Sequence, residues 1–115
     1  MASQSRKHRG YRSQKVLAEY LALNGFQYAE SKGAGRSGSD VTGTLGIDWE
    51  VKARTGFNPA AAISQLKDRA NSKDLGVVVL RLNGQGEKSV SDWVCLLRLE
   101  DAVILLRGAG YGDKK

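Results

Sequence analysis

The 115 residues predict an α/β sandwich around a mixed central sheet, with elements in the order α-β-β-β-α-β-β-α. Three observations carry that prediction. Apolar residues recur at helical spacing near both ends of the chain and in its middle. A strict alternation over Ile47–Ala53 reads as a strand with two unlike faces. The run LGVVVLRL, Leu75–Leu82, is almost continuously apolar, as expected of a central strand covered on both sides.

Residues 1–9 are polar and basic and show no packing signal, so they read as a flexible N-terminal arm. From about Tyr11 to Asn24 the residues Val16, Leu17, Tyr20, Leu21 and Leu23 form an apolar stripe, and Asn24-Gly25 supplies the stop. Phe26–Ser31 reads as a short strand and KGAGRSGS, Lys32–Ser39, as a Gly/Ser-rich loop. Asp40–Leu45 follows as a second strand, Gly46 as a turn and Ile47–Ala53 as a third strand. Asn58-Pro59 opens a helix, with Asn as cap and Pro at the first helical position. Its apolar positions, Pro59, Ile63, Leu66 and Ala70, carry it to about Lys73. After Leu75–Leu82 come a turn over Asn83–Lys88 and a strand over Val90–Leu97. Glu100–Arg107 closes the fold as a short helix with acids in its first turn and Arg107 in its last. One domain over residues 10–107 is expected, with 108–115 as a loose tail.

Composition narrows the chemistry. Eighteen basic residues against twelve acidic ones give a net charge of +6, which favours a polyanionic partner and makes nucleic acid the first candidate. No apolar run reaches the length of a membrane span, and the N-terminus has no apolar stretch of signal type, so a cytoplasmic protein is expected. Cys95 is the only cysteine, which leaves no internal disulfide and no cysteine-based zinc site; its apolar neighbours mark it as an inert core thiol. His8 is the only histidine and lies in the basic arm, which argues against a Ser-His-Asp or Cys-His mechanism. Trp49 and Trp93 each fall in an apolar alternation and read as core aromatics.

The alternation over Ile47–Ala53 puts Asp48, Glu50 and Lys52 on one face. A charged row on an inner sheet face is costly without partners. Asp40 lies ten positions before Glu50, on a strand that the turn at Gly46 makes its neighbour. Two carboxylates brought together repel, and a divalent cation relieves them; oxygen-only ligands suit Mg²⁺, with Mn²⁺ as a substitute. Lys52 emerges beside Glu50, where an ammonium orients a water and offsets charge on a phosphoryl transition state. This kit suits attack of water on a phosphodiester. Glu-x-Lys alone is a weak signal, since Glu30-Ser31-Lys32 repeats it at the edge of the flexible loop with no acidic residue about ten positions upstream. Asp48 has no assigned role.

These features together resemble the PD-(D/E)XK nuclease superfamily, and within it the archaeal-type and phage Holliday junction resolvases. The matching stretches are a helix bearing Glu19, the loop and Asp of GRSGSDVTG, the strand IDWEVKAR and the helix AAISQLKDRA. The strand LGVVVLRL and the closing SDWVCLLRLEDAVILL fit as well, so the resemblance runs from about Arg9 to Leu106. It implies a restriction-endonuclease-like core of order α-β-β-β-α-β. It also implies Asp40 and Glu50 as metal ligands and Lys52 as the catalytic lysine. Glu19 would complete the metal site, the main-chain carbonyl of Val51 would be a further ligand, and Gln65 would line the site. Ser39 stands where the name of the motif has proline. Glu19 also has a plain reading as the i,i+4 partner of Lys15, and Gln65 as an ordinary exposed helix residue.

Arg6, Lys7, Arg9, Arg12, Lys32, Arg36 and Arg54, with Ser39 in the same loop, read as DNA contacts, the cations meeting phosphates without base specificity. The expected activity is a structure-selective DNA endonuclease, a Holliday junction resolvase acting on branched DNA as a homodimer. Two alternatives stand beside it: a nuclease of the same fold for flaps, forks or duplex, and a non-catalytic DNA-binding module.

Overall fold

A computed structural model of the chain describes residues 2–32, 38–53, 58–69 and 73–113, with the side chains of 2–9 and 69 excepted. The backbone folds as α1 (Ala2–Leu23), β1 (Glu30–Ser31), β2 (Val41–Thr42), β3 (Ile47–Lys52), α2 (Pro59–Arg69), β4 (Leu75–Leu80), a 3-10 segment (Glu87–Asp92), β5 (Val94–Leu96) and α3 (Leu99–Gly108). The main sheet has the order β3-β4-β5 and is mixed. β3 and β4 run parallel, with Glu50 opposite Val78 and Lys52 opposite Leu80, and β5 runs antiparallel to β4. A parallel pair needs a crossover, and α2 is that crossover. β1 and β2 form a separate antiparallel pair that adjoins β3 through Asp40, whose N–H donates to the Trp49 carbonyl at 2.9 Å.

Two apolar layers hold the sheet. Leu17, Ala18 and Leu21 of α1 pack with Val41, Trp49, Val51, Val77, Val79 and Trp93 on one face. Ala62 and Leu66 of α2 pack with Val78 and Leu80 on the other. The approach of α2 is close: a Cβ on Gly76 would lie 3.2 Å from Leu66 Cδ1, so glycine suits this position on β4. Two buried polar contacts are made good, while the buried Gln14 Oε1 has no hydrogen-bond partner among the described residues. Trp49 Nε1 donates to Thr44 Oγ1 at 2.9 Å, and Arg81 donates to the buried Ser13 hydroxyl at 3.1 Å while lying over the Trp93 ring.

Several elements depart from the sequence-based expectation. Helix α1 spans Ala2–Leu23, so residues 2–9 of the basic segment are helical rather than a separate arm. Lysine, arginine and glutamine are good helix formers, and an apolar stripe marks only the part of a helix that packs. Leu23 is exposed because it projects well away from the Leu17–Leu21 stripe. The strands predicted over Phe26–Ser31 and Asp40–Leu45 shrink to two residues each. Gly43 is the reason on the second: it has φ +83° and sits so near the Tyr28 carbonyl that no Cβ fits. Helix α2 ends at Arg69 within the described residues, and the predicted continuation through Ala70 lies outside them.

The strand predicted over Val90–Leu97 is cut to Val94–Leu96, its first part being taken by the 3-10 segment. Cys95 is exposed there, not a core thiol. It lies on β5, an edge strand of the sheet. Of the predicted tail, Gly108 ends α3 and residues 109–111 close back on it. Tyr111 N–H donates to the Leu106 carbonyl and Gly110 N–H to that of Arg107, a Schellman closure with Gly110 at φ +91°. Among the described residues no helix is long and apolar enough to cross a membrane.

Candidate active site on the charged face of β3

The alternation of β3 survives folding. Trp49 and Val51 face α1, while Asp48, Glu50 and Lys52 face α2. Both faces are covered, so the acidic side chains are buried: Asp48 is 5% exposed and Glu50 7%. Glu50 is held by a direct ion pair, its Oε2 lying 3.1 Å from Lys52 Nζ. The pair is itself largely enclosed, which reduces screening by solvent. Lys52 Nζ also donates to Gln65 Oε1 on α2 at 3.5 Å. The helix that carries Gln65 is fixed by its cap: Asn58 Oδ1 accepts from Ala61 N–H at 3.1 Å, with Pro59 at the first helical position.

Asp40 reaches the same stretch from the neighbouring strand. Its Oδ2 accepts the Val51 N–H at 2.7 Å, so its carboxylate docks on the backbone between Glu50 and Lys52. Ser39 aids the docking: its hydroxyl donates to the Val41 carbonyl at 2.7 Å and accepts from Trp49 N–H at 2.9 Å. The Ser39 hydroxyl, expected among the DNA contacts, is thus engaged in stitching β2 to β3. Lys32 N–H donates to the Asp40 carbonyl at 3.1 Å, which brings the second Glu-x-Lys copy to the border of the site. Position 38 beside it favours glycine through its positive φ. There φ is +91°, and a Cβ would meet Lys32 Nζ at 2.8 Å.

Asp40, Glu50, Lys52 and Gln65 are therefore brought together around Val51, whose N–H holds Asp40. Glu19 is not part of this group. It is exposed on α1, which packs on the opposite face of β3, and among the described residues no three His, Cys, Asp or Glu side chains form a metal-holding cluster. Nor does Glu19 form an ion pair with Lys15 among the described residues. Arg12 is engaged elsewhere, donating from Nε to Glu87 Oε2 at 2.8 Å and from Nη2 to Oε1 at 3.1 Å. That fork holds the Arg12 pKa above its ordinary value and the Glu87 carboxyl below its own. Arg36 and Arg54 lie outside the described residues, as do the side chains of Arg6, Lys7 and Arg9.

Sequence reasoning undervalued Asp48. It is as buried as Glu50 and shares its face, and the same alternation that marked Glu50 also marks it. The donors that remain, the carboxylate oxygens of Asp40 and Glu50, are of the chemical type that a hard divalent cation takes. Mg²⁺ is commonly bound by one or two carboxylates with waters completing its octahedron, so a site of this type does not require Glu19. The two carboxylates, the ammonium and the amide form a polar patch in an otherwise apolar layer. No family model, no curated protein and no solved structure matches this chain.

Proposed function

We propose that this chain is a metal-dependent, structure-selective DNA endonuclease that resolves four-way junctions, with Asp40, Glu50 and Lys52 as its chemical core. One observation carries the reading. A buried glutamate, its lysine at 3.1 Å and an aspartate docked on the intervening amide meet within three residues of one strand. A fold that needed only packing there would place apolar residues on that face, because burying charge is costly. The order helix, three strands, helix, strand supports taking the core as restriction-endonuclease-like.

When bound, Mg²⁺ or Mn²⁺ supplies Lewis-acid and water-activating chemistry at the scissile phosphate. Asp40 and Glu50 would hold the ion, and Val51 N–H fixes the Asp40 carboxylate through Oδ2. Lys52, positioned by Glu50 and Gln65, presents its ammonium to the charge that builds on the phosphoryl oxygens. Water oxygen forms a new bond to phosphorus and gives up one proton to solvent, the P–O bond to the leaving alkoxide breaks, and that alkoxide takes up one proton from solvent, so no net proton is gained or lost. The net charge of +6 supports phosphate-directed binding whose affinity falls with salt. Symmetric resolution needs two sites, hence two copies of the chain.

The test is cleavage of a labelled synthetic four-way junction beside fork, flap, duplex and single strand of matching sequence, with Mg²⁺, Mn²⁺ or chelator. Paired symmetric nicks in the junction, absent with chelator, are expected. Metal-dependent cutting of forks, flaps or duplex instead would keep the nuclease and discard the resolvase. Tight binding with no cleavage under either metal would leave a DNA-binding module and overturn the chemistry.

A further inference from the structure

The second Glu-x-Lys copy, Glu30-Ser31-Lys32, shares a side of the sheet with the first. β1 and β2 pair antiparallel with Glu30 opposite Thr42 and Ser31 opposite Val41, and Lys32 N–H extends the ladder to the Asp40 carbonyl at 3.1 Å. Residues directly opposite one another lie on one face. Val41 is buried in the layer under α1, so Ser31 takes that face and the alternation turns Glu30, Lys32 and Thr42 to the other. On that same side β3 presents Glu50 and Lys52.

The two strand pairs differ in what covers them there. Helix α2 packs against β3 and β4, whereas the main contacts of β1 and β2 are with α1, with each other and with β3. Glu30 and Thr42 are exposed, so the β1–β2 ribbon forms an open shelf beside the enclosed Glu50–Lys52 pair. Lys32 supplies a cation to that shelf. It is half-buried, and its ammonium lies over the backbone at Gly38, two residues before Asp40. Lys52 is paired with Glu50 and Arg12 with Glu87, but among the described residues the Lys32 ammonium makes no ion pair and no hydrogen bond.

An unpaired ammonium at the approach to two carboxylates has a plain electrostatic use. A phosphate backbone drawn toward Asp40 and Glu50 is repelled by both, and a fixed cation beside its path offsets that repulsion. We propose that Lys32 is a positioning residue whose ammonium holds a phosphate neighbouring the scissile one, so that the cut strand crosses the open face of the β1–β2 ribbon; the role rests on the nuclease reading of the site. Lys52 serves the reacting phosphate. β1 stands two strand spacings, about 10 Å, from β3, so Lys32 meets a phosphate further along the strand. A cation that only adds affinity favours no one phosphate, whereas Lys32 is tied to one position relative to the cut.

The test pairs protein and DNA changes. Four-way junctions are made with one neutral methylphosphonate in place of each of the two phosphates on either side of the cut. The parent, Lys32→Met and Lys32→Arg are compared in single-turnover cleavage, and in junction binding with chelator across a salt series. Lys32→Met should slow cleavage at least about tenfold with its melting temperature close to the parent's, and Lys32→Arg should restore most of the rate. One methylphosphonate should slow the parent as much as Lys32→Met does and slow Lys32→Met no further. The slope of log Kd against log salt should fall by about one in Lys32→Met. Methylphosphonates that slow both proteins alike at every position would overturn the proposal, as would an unchanged salt slope. A parent that cuts no junction while Lys32→Met still lowers the salt slope would instead overturn the nuclease reading, and with it the register to a cut, leaving Lys32 as a phosphate contact alone.

Discussion

The two faces of β3 bury different things. Toward α1 the strand presents Trp49 and Val51 to Leu17, Leu21 and Trp93, an apolar contact that stabilises the fold by removing surface from water. Toward α2 it presents Asp48 and Glu50 at the same depth, with Lys52 less enclosed, beside Val78 and Leu80. On that side burial costs desolvation, offset by the Lys52–Glu50 pair, and a pair of this kind seldom outdoes apolar residues of similar volume. One six-residue strand thus carries a stabilising face and a costly one. The costly face is where Asp40 and Gln65 converge.

Breaking either face should unfold the protein to a similar degree, for different reasons. Trp49→Ala opens a cavity and orphans the Thr44 hydroxyl, and should lower stability by about 3–5 kcal/mol in urea titrations. Lys52→Met leaves Glu50 buried without its ammonium and should also cost about 3–5 kcal/mol. The double variant Glu50→Leu/Lys52→Met separates the two cases. It should recover the loss, ending between neutral and about 1–4 kcal/mol above the parent, while cleavage disappears. A double variant as unstable as Lys52→Met alone would mean that the charged face stabilises the fold after all.

Smaller changes sharpen the contrast. Gln65→Ala removes a long hydrogen bond at an exposed helix position. It should leave stability within about 0.5 kcal/mol and slow single-turnover cleavage by less than about tenfold. The Arg12–Glu87 pair gives the least effect, being a surface contact. Its sign with pH is fixed: the Glu87 carboxyl is held below its ordinary value, first by the hydrogen bond from Arg12. The pair therefore contributes above the unfolded carboxyl range and is lost as pH falls through the folded one. Arg12→Ala should lower the melting temperature slightly at neutral pH and not at all in strong acid.

The charged face was legible because a strand has period two and Glu50, Lys52 and Asp48 fall on alternate positions. Asn58-Pro59 was legible for a similar local reason, since a cap needs only its own side chain and the next turn. Asp40 came from spacing to Glu50, and the structure adds the reason it stays: its carboxylate replaces a ladder partner for Val51 N–H. Glu19 failed to join because helical periodicity says which side of α1 packs, not which face of the sheet receives it. Cys95 failed because an apolar neighbourhood in sequence does not say whether a strand is central or at the edge. The length of α1 and the shortness of β2 escaped for opposite reasons. A polar helix turn has no apolar signature, and the constraint at Gly43 comes from Tyr28, fifteen residues away in the chain.

Asp40→Asn isolates the chemistry from the fold. An asparagine oxygen accepts the Val51 N–H as the carboxylate does, but its amide is a poor ligand for a hard divalent cation. Single-turnover cleavage of the four-way junction by this variant, beside the parent at the same Mg²⁺ concentration, is the decisive measurement. A melting temperature close to the parent's with at least about a hundredfold loss of rate is the expected result. Cleavage within a few-fold of the parent would contradict the assignment of the charged face of β3 as the site of phosphodiester hydrolysis.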